Sequence, residues 1–147
     1  EYGGALKTII AIGAGVCDGL RLGDNAKAGF MTRGLAEITR LAVAAGAEPL
    51  TLSGLSVMGD LIATCSSNLS RNHFVGRELT RGRTLAEIQS SMENVAEGIN
   101  TTSAAITLSN RLGVEMPITM ATYKVLFEKI SVQQAIKELM DRDPTPE

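Results

Sequence analysis

The sequence predicts an all-α fold: one compact domain of seven to nine helices. Three observations predict it. Apolar residues recur with helical spacing nearly throughout the chain. Capping residues, a proline placed for a helix start and glycines placed past helix ends punctuate the runs. The 147 residues are 44% hydrophobic and 20% charged, a globular balance with enough chain to bury a core.

Residues 3–20 read as a helix rich in Ala, Ile and Gly. Residues 24–46 read as a long helix with Asp24 as its N-cap and Gly46 past its end. Its stripe is Phe30, Leu35, Ile38, Leu41 and Ala42. Residues 51–56 and 58–65 read as two short helices around a break at Gly59. Residues 71–80 follow, capped by Ser70, with Gly82 past the end. Thr84 and Glu87 form a capping-box pattern that opens a helix at 85–92. Gly113 closes the next helix, at 97–112. Pro117 suits the first position of a helix at 117–129, where its missing N–H costs nothing. Ser131 and Gln134 form a second capping-box pattern for a last helix at 132–142, and the Pro-rich tail 143–147 cannot continue it. Val114–Met116 and 94–96 are the only candidates for short extended pieces.

Composition excludes several functions. The net charge of -2 disfavours a dedicated nucleic-acid binder. The longest nearly uncharged apolar run, Thr8–Cys17, is too short to span a bilayer. No signal or transit peptide pattern is visible, and the chain opens on Glu1 rather than Met, as a processed or shortened chain would. Cys17 and Cys65 cannot build a disulfide framework and read as small hydrophobes in a reducing, cytoplasmic compartment. A single histidine, His73, excludes two-histidine metal chemistry, and no metal site is expected. Gly13-Ala-Gly15-Val-Cys-Asp-Gly19 imitates a dinucleotide fingerprint, but its third glycine is one residue late and no strand precedes it. Small residues that let two helix backbones approach explain it better.

Three places look like chemistry. Lys7 is the only charged side chain between Tyr2 and Cys17, and no acid lies one helical turn away. A lysine in apolar surroundings holds its proton less tightly, which suits a general base. The alternative is a lysine at a helix start that reaches out to water. Asp60 stands alone in an apolar run, with Thr64 one turn on. A buried carboxylate needs a partner, which a distant lysine such as Lys7 would supply; the alternative is a helix cap. Ser70-Arg71-Asn72 opens a helix, where free N–H groups, the helix dipole and a guanidinium favour an anion. The alternative is a capped helix with an exposed arginine.

Seven blocks then occur together in order: Gly3–Lys7, Gly23–Ala28, Gly59–Ile62, Ser70–Asn72, Val95–Gly98, Glu115–Ile118 and Tyr123–Leu126. In this order and spacing the chain resembles, over essentially its whole length, the C-terminal, substrate-binding domain of bacterial NAD(P)-dependent glycerol-3-phosphate dehydrogenase. The resemblance implies an all-α domain of the 6-phosphogluconate-dehydrogenase C-terminal type over residues 1–147, with the dinucleotide-binding domain absent from this chain. It implies interconversion of dihydroxyacetone phosphate and sn-glycerol 3-phosphate, the precursor for phospholipids. It puts the proton acceptor or donor on Lys7 and substrate contacts on Lys7, Asp60, Ser70, Arg71 and Asn72. It puts contacts to NAD or NADP on Arg71, Val95 and Glu97, and Thr64 near the substrate.

Two positions depart from the family. Thr8 stands where Asn is usual, which bears on how Lys7 is oriented, and Arg21 stands where a small or neutral residue is common. The implied partners are the two phosphorylated substrates and an N-terminal dinucleotide-binding domain, with a homodimer left open and no membrane insertion. No dehydrogenase activity is expected of this chain alone. Two other readings compete: another β-hydroxyacid or sugar-phosphate dehydrogenase, and a helical dimerisation module built on the small-residue helix at 3–20.

Overall fold

The structure is a computed structural model and describes residues 2–48, 55–66 and 70–142. Among the described residues there are eight helices and no strand. They are α1 (Tyr2–Gly19), α2 (Asp24–Ala44), α3 (Leu55–Ser66), α4 (Arg71–Leu79), α5 (Leu85–Ser90), α6 (Glu97–Leu112), α7 (Pro117–Phe127) and α8 (Val132–Asp141). No helix among the described residues is long and apolar enough to cross a membrane.

Helix α1 is the centre. Ile9, Ile10, Ala11, Ile12 and Ala14 are all buried, so it has no solvent-facing stripe along its middle. It packs on α2, α3, α4, α6 and α7. Leu6, Ile9, Ile10 and Ala14 join Ile38, Leu41, Leu61 and Ala105 in one apolar cluster, while Ile12 joins Val75, Leu79, Ile88, Ile99 and Leu126 in another. One helix therefore seams both cores. Each buried Ile contributes roughly 1.5–3 kcal/mol by transfer from water.

The glycines of the false fingerprint explain the tightest crossing. A Cβ on Gly76 of α4 would overlap the Ile12 carbonyl oxygen, and one on Gly15 would overlap that of His73. Both helices lack side chains where they meet, so their backbones touch. Gly98 of α6 is confined similarly, since a Cβ there would lie 2.7 Å from the Thr8 carbonyl oxygen.

Most predicted boundaries fall within one or two residues of those observed. Ser70 caps α4 by accepting from the His73 N–H at 3.2 Å. Thr84 and Glu87 complete their reciprocal capping box. Gly113 adopts φ 69° to close α6, and Pro117 opens α7. Ser131 accepts from the Gln134 N–H at 3.1 Å, half of the expected box.

Three expectations need correction. Gly59 does not break a helix: α3 runs from Leu55 to Ser66, because buried Leu61 and Cys65 pin it and an interior glycine costs only about 1 kcal/mol. Residues 51–54 lie outside the described residues, as does the tail 143–147. Asp60 is consequently inside α3 and caps nothing. Gly23, not Asp24, is the N-cap of α2, with φ 93° that a side chain would strain. The expected extended pieces at 94–96 and Val114–Met116 form no strand.

Glu37 holds α2 to α7. Pro117 has no N–H and Met116 has no capping atom, so the start of α7 needs an outside acceptor. The buried Glu37 carboxylate supplies it. It accepts from the N–H groups of Ile118 and Thr119 and from the Thr119 hydroxyl, each at 2.8 Å. Burial pushes its pKa up, and these bonds, with the nearby Arg40 charge, offset only part of that.

Two predictions follow from the packing. Gly76→Ala forces α4 away from α1 and lowers stability by about 3 kcal/mol or more, read as a drop in the urea midpoint; an unchanged midpoint would show that the crossing is loose. Glu37 has a folded-state pKa above its unfolded value, so its contribution is full below the unfolded value of 4.5 and is lost as pH rises through the folded one. Glu37→Gln removes that titration. The stability deficit of the variant is therefore largest near the unfolded pKa and narrows at higher pH. A deficit that widens as pH rises would reverse the sign argued for Glu37.

Candidate active site

Lys7 sits near the start of α1, where the helix emerges from the core. Its side chain keeps only 14% exposure, and Nζ lies 3.1 Å from Oδ2 of Asp60. No helical neighbour accounts for this pair. It links residues 53 apart, joining α1 to α3. The Asp60 side chain is 70% exposed, so the pair contributes little to stability. Its effect is geometric: one carboxylate oxygen fixes where the ammonium points. Thr64, one turn along α3, is half-buried.

Thr8 does not orient Lys7. Its hydroxyl donates to the Ala5 carbonyl at 2.6 Å, within α1 itself. Arg21 is exposed and adopts φ 55° just after α1, so this departure lies at the surface.

The turn at Ser70–Asn72 opens α4. Ser70 uses its hydroxyl oxygen as the helix cap. Arg71 is exposed, and its Nε donates to the Val95 carbonyl at 2.9 Å. That bond uses Nε and leaves both terminal nitrogens as donors for a planar acceptor. Asn72 is buried, and its Oδ1 accepts from the Gly98 N–H at 2.8 Å. The carbonyl half of that amide is thus occupied, and the NH₂ half remains as a donor.

Gly98 brings the two halves of the site together. Its missing side chain leaves room for Asn72 Oδ1 on one side and for the Thr8 carbonyl oxygen on the other. Asn72 therefore stands against the turn of α1 that carries Lys7. Val95 is 62% exposed, and Glu97 is exposed in the first turn of α6. Lys7, Asp60, Arg71, Asn72, Val95 and Glu97 come from α1, α3, α4 and the entry to α6, and these elements meet through that contact network.

The residue reading missed two polar clusters. Asp18, near the end of α1, holds Nε2 of His73 at 2.6 Å and Nζ of Lys27 at 2.8 Å, both on Oδ2. Partial burial alone would raise the Asp18 carboxyl; the bonds from Lys27 and His73 outweigh it and hold the group below the usual carboxylate range. Glu37 is the other. Gly34, Glu37, Ile38 and Leu41 share one buried face, a signal that a carboxylate on that stripe must have a partner.

Cys17 and Cys65 are free and buried, and burial pushes their thiols up to about 11 and about 12, which leaves them unreactive. Among the described residues no three His, Cys, Asp or Glu side chains gather as a metal site would require. An apolar cleft of about 220 Å³ opens between α1, α2, α7 and α8, lined by Phe30, Val125 and Leu139 among others. None of the candidate residues lines it.

The family described as NAD-dependent glycerol-3-phosphate dehydrogenase C-terminus matches residues 1–137. The chain is 56% identical over all 147 residues to a glycerol-3-phosphate dehydrogenase [NAD(P)+] of Prosthecochloris aestuarii, of which it covers 44%. It is also 56% identical to one of Dehalococcoides mccartyi, of which it covers 41%. Its fold matches the crystal structure of glycerol-3-phosphate dehydrogenase from Coxiella burnetii with TM-score 0.90 and 40% identity, over 97% of this chain and 44% of that one. The Saccharomyces cerevisiae enzyme matches with TM-score 0.82 and 26% identity, over 95% of this chain and 41% of that one. The chain spans less than half the length of these relatives, and it belongs to the family of glycerol-3-phosphate dehydrogenase C-terminal domains.

Proposed function

We propose that this chain is the substrate-binding half of an NAD(P)-dependent oxidoreductase that interconverts sn-glycerol 3-phosphate and dihydroxyacetone phosphate. The single observation that carries the proposal is the Lys7–Asp60 pair at 3.1 Å, beside a turn with unused anion donors. A dinucleotide-binding domain would complete the site, and the relatives, of which this chain covers 44% or less, have the length for one. The edge formed by Arg71, Val95 and Glu97 suits contact with a cofactor held mainly by that other domain. When bound, the nicotinamide supplies or accepts the hydride.

The chain's own residues then have separate tasks. Lys7 Nζ donates a proton to the carbonyl oxygen of the ketone as negative charge develops there, and accepts it from the hydroxyl in the reverse direction. Such acid–base help is typically worth ~10²–10⁴-fold in rate. Asp60 keeps Nζ pointed through a charge-assisted hydrogen bond. The terminal nitrogens of Arg71 and the NH₂ of Asn72 hold the phosphate, which orients the reacting carbon from a distance. Ser70 supports that turn as its cap. The buried, unpaired thiols fit a reducing compartment, and we assign the protein to the cytoplasm on that ground.

Other dehydrogenases that place a lysine on an all-α domain share the proton chemistry. The phosphate turn separates this reading from theirs, because it supplies two donors of fixed direction at one helix start. A pure dimerisation module has no need of a largely shielded lysine paired with an aspartate beside an anion turn.

In the two-domain protein, Lys7→Ala lowers kcat at least a hundredfold (~10²) with the fold retained, read by steady-state turnover of dihydroxyacetone phosphate. A kcat close to normal removes Lys7 from the proton-transfer role. Arg71→Ala weakens binding of phosphorylated substrate by roughly 1.5–3 kcal/mol. It does little to an unphosphorylated analogue, and equal losses for both would count against a phosphate contact.

A further inference from the structure

His73 follows Asn72 directly in the first turn of α4. Its side chain keeps 1% exposure and faces α1, away from the open side of the turn. Nε2 lies 2.6 Å from Oδ2 of Asp18, and Lys27 of α2 donates to the same oxygen at 2.8 Å. Asp18 belongs to the helix that carries Lys7, and His73 to the helix that carries Arg71 and Asn72.

We propose that His73 and Asp18 are positioning residues for the anion turn at Ser70–Asn72, holding Arg71 and Asn72 in register with Lys7. This rests on the reading of that turn as the phosphate anchor. The glycine crossing sets how close α4 and α1 come and limits where they can touch, but it makes no directional bond between the anion turn and α1. The His73–Asp18 hydrogen bond supplies one. The His73–Asp18 bond is short, has an ionised acceptor and is largely shielded on the histidine side, which strengthens it. Lys27 bonds the same Oδ2, so the carboxylate is held by α2 as well as by the ring.

The Asn72–Gly98 bond sets the lateral position of the same turn against α6. Together the two bonds leave α4 one placement on α1. His73 itself reaches no ligand: Nε2 is held by Asp18, and Nδ1 is buried without a hydrogen-bond partner. Its influence passes through the backbone of the turn.

The test uses the two-domain protein, with steady-state kinetics and calorimetry of inorganic phosphate binding. His73→Leu raises KM for dihydroxyacetone phosphate and Kd for phosphate roughly tenfold, while kcat stays within about twofold. His73→Gln, which can still donate to Asp18, returns both constants to within about threefold of wild type. Asp18→Ala reproduces His73→Leu and serves in its place should the leucine variant not fold, since Asp18 is partly exposed. The double variant is no worse than the worse single within about twofold, because both remove one bond.

The proposal is overturned by a folded His73→Leu with unchanged KM and Kd, by a loss confined to kcat, by failure of glutamine to rescue, or by additive losses in the double variant. A wild-type protein that binds phosphate but does not turn over dihydroxyacetone phosphate fails the functional reading alone, and the Kd ratios then decide the role of His73. A wild type that binds no phosphate overturns both.

Discussion

Everything in this domain depends on the burial of α1 and on the close crossing that burial permits. A helix with Ile9, Ile10, Ile12 and Ala14 all out of water must be surrounded, and five helices surround it. Such a helix can be approached closely only where it lacks side chains. Gly15 and the facing Gly76 supply that place and bring α4 down to backbone contact. The Ser70–Asn72 turn opens α4, so the crossing that packs the core also sets the distance between that turn and the start of α1. Fold and site share one constraint.

The same burial explains why the charged groups lie at the ends of α1. Lys7 and Asp18 flank the apolar middle, each where the helix emerges from its neighbours. Each meets a partner from another element: Asp60 of α3 for Lys7, His73 of α4 and Lys27 of α2 for Asp18. An apolar rod surrounded on all sides has no preferred rotation of its own, because hydrophobic contacts are nondirectional. Charged ends with directional partners supply one. Glu37 does the equivalent between α2 and α7, where a carboxylate replaces a missing cap.

The sequence was legible where its signals are local. Thr84 with Glu87, Ser70 and Gly113 mark helix ends through bonds that close within one turn, Pro117 marks one by its missing N–H, and those ends stand almost where they were expected. Gly59 misled because a glycine weakens a helix by an amount that tertiary packing easily covers, here through Leu61 and Cys65. The isolation of Lys7 in an apolar run announced a distant partner, and Asp60 supplies it; Asp60 itself was read as a buried carboxylate and is instead 70% exposed, because its face of α3 lies outside the core. Glu37 and His73 were harder to read. Their partners lie 82 and 55 residues away at most, and nothing in their immediate neighbours distinguishes them from surface polar residues. The signal was the face they occupy: Glu37 falls on the stripe of Gly34, Ile38 and Leu41, and His73 one turn from Gly76.

The polar side chains also separate by what bonding capacity they have left. Glu37 directs its oxygens inward, to the N-terminus of α7. Buried groups that are fully paired rigidify a fold and offer a ligand nothing. Lys7, Arg71 and Asn72 differ. Each is anchored by one bond, to Asp60, Val95 and Gly98 respectively, and each keeps donors beyond that bond. One anchor per side chain removes most of its rotamer freedom before a ligand arrives, so less ordering remains to oppose binding. Every spare group in the set is a donor, and a ligand rich in acceptors with an oxygen in need of a proton is the chemistry that such a set fits.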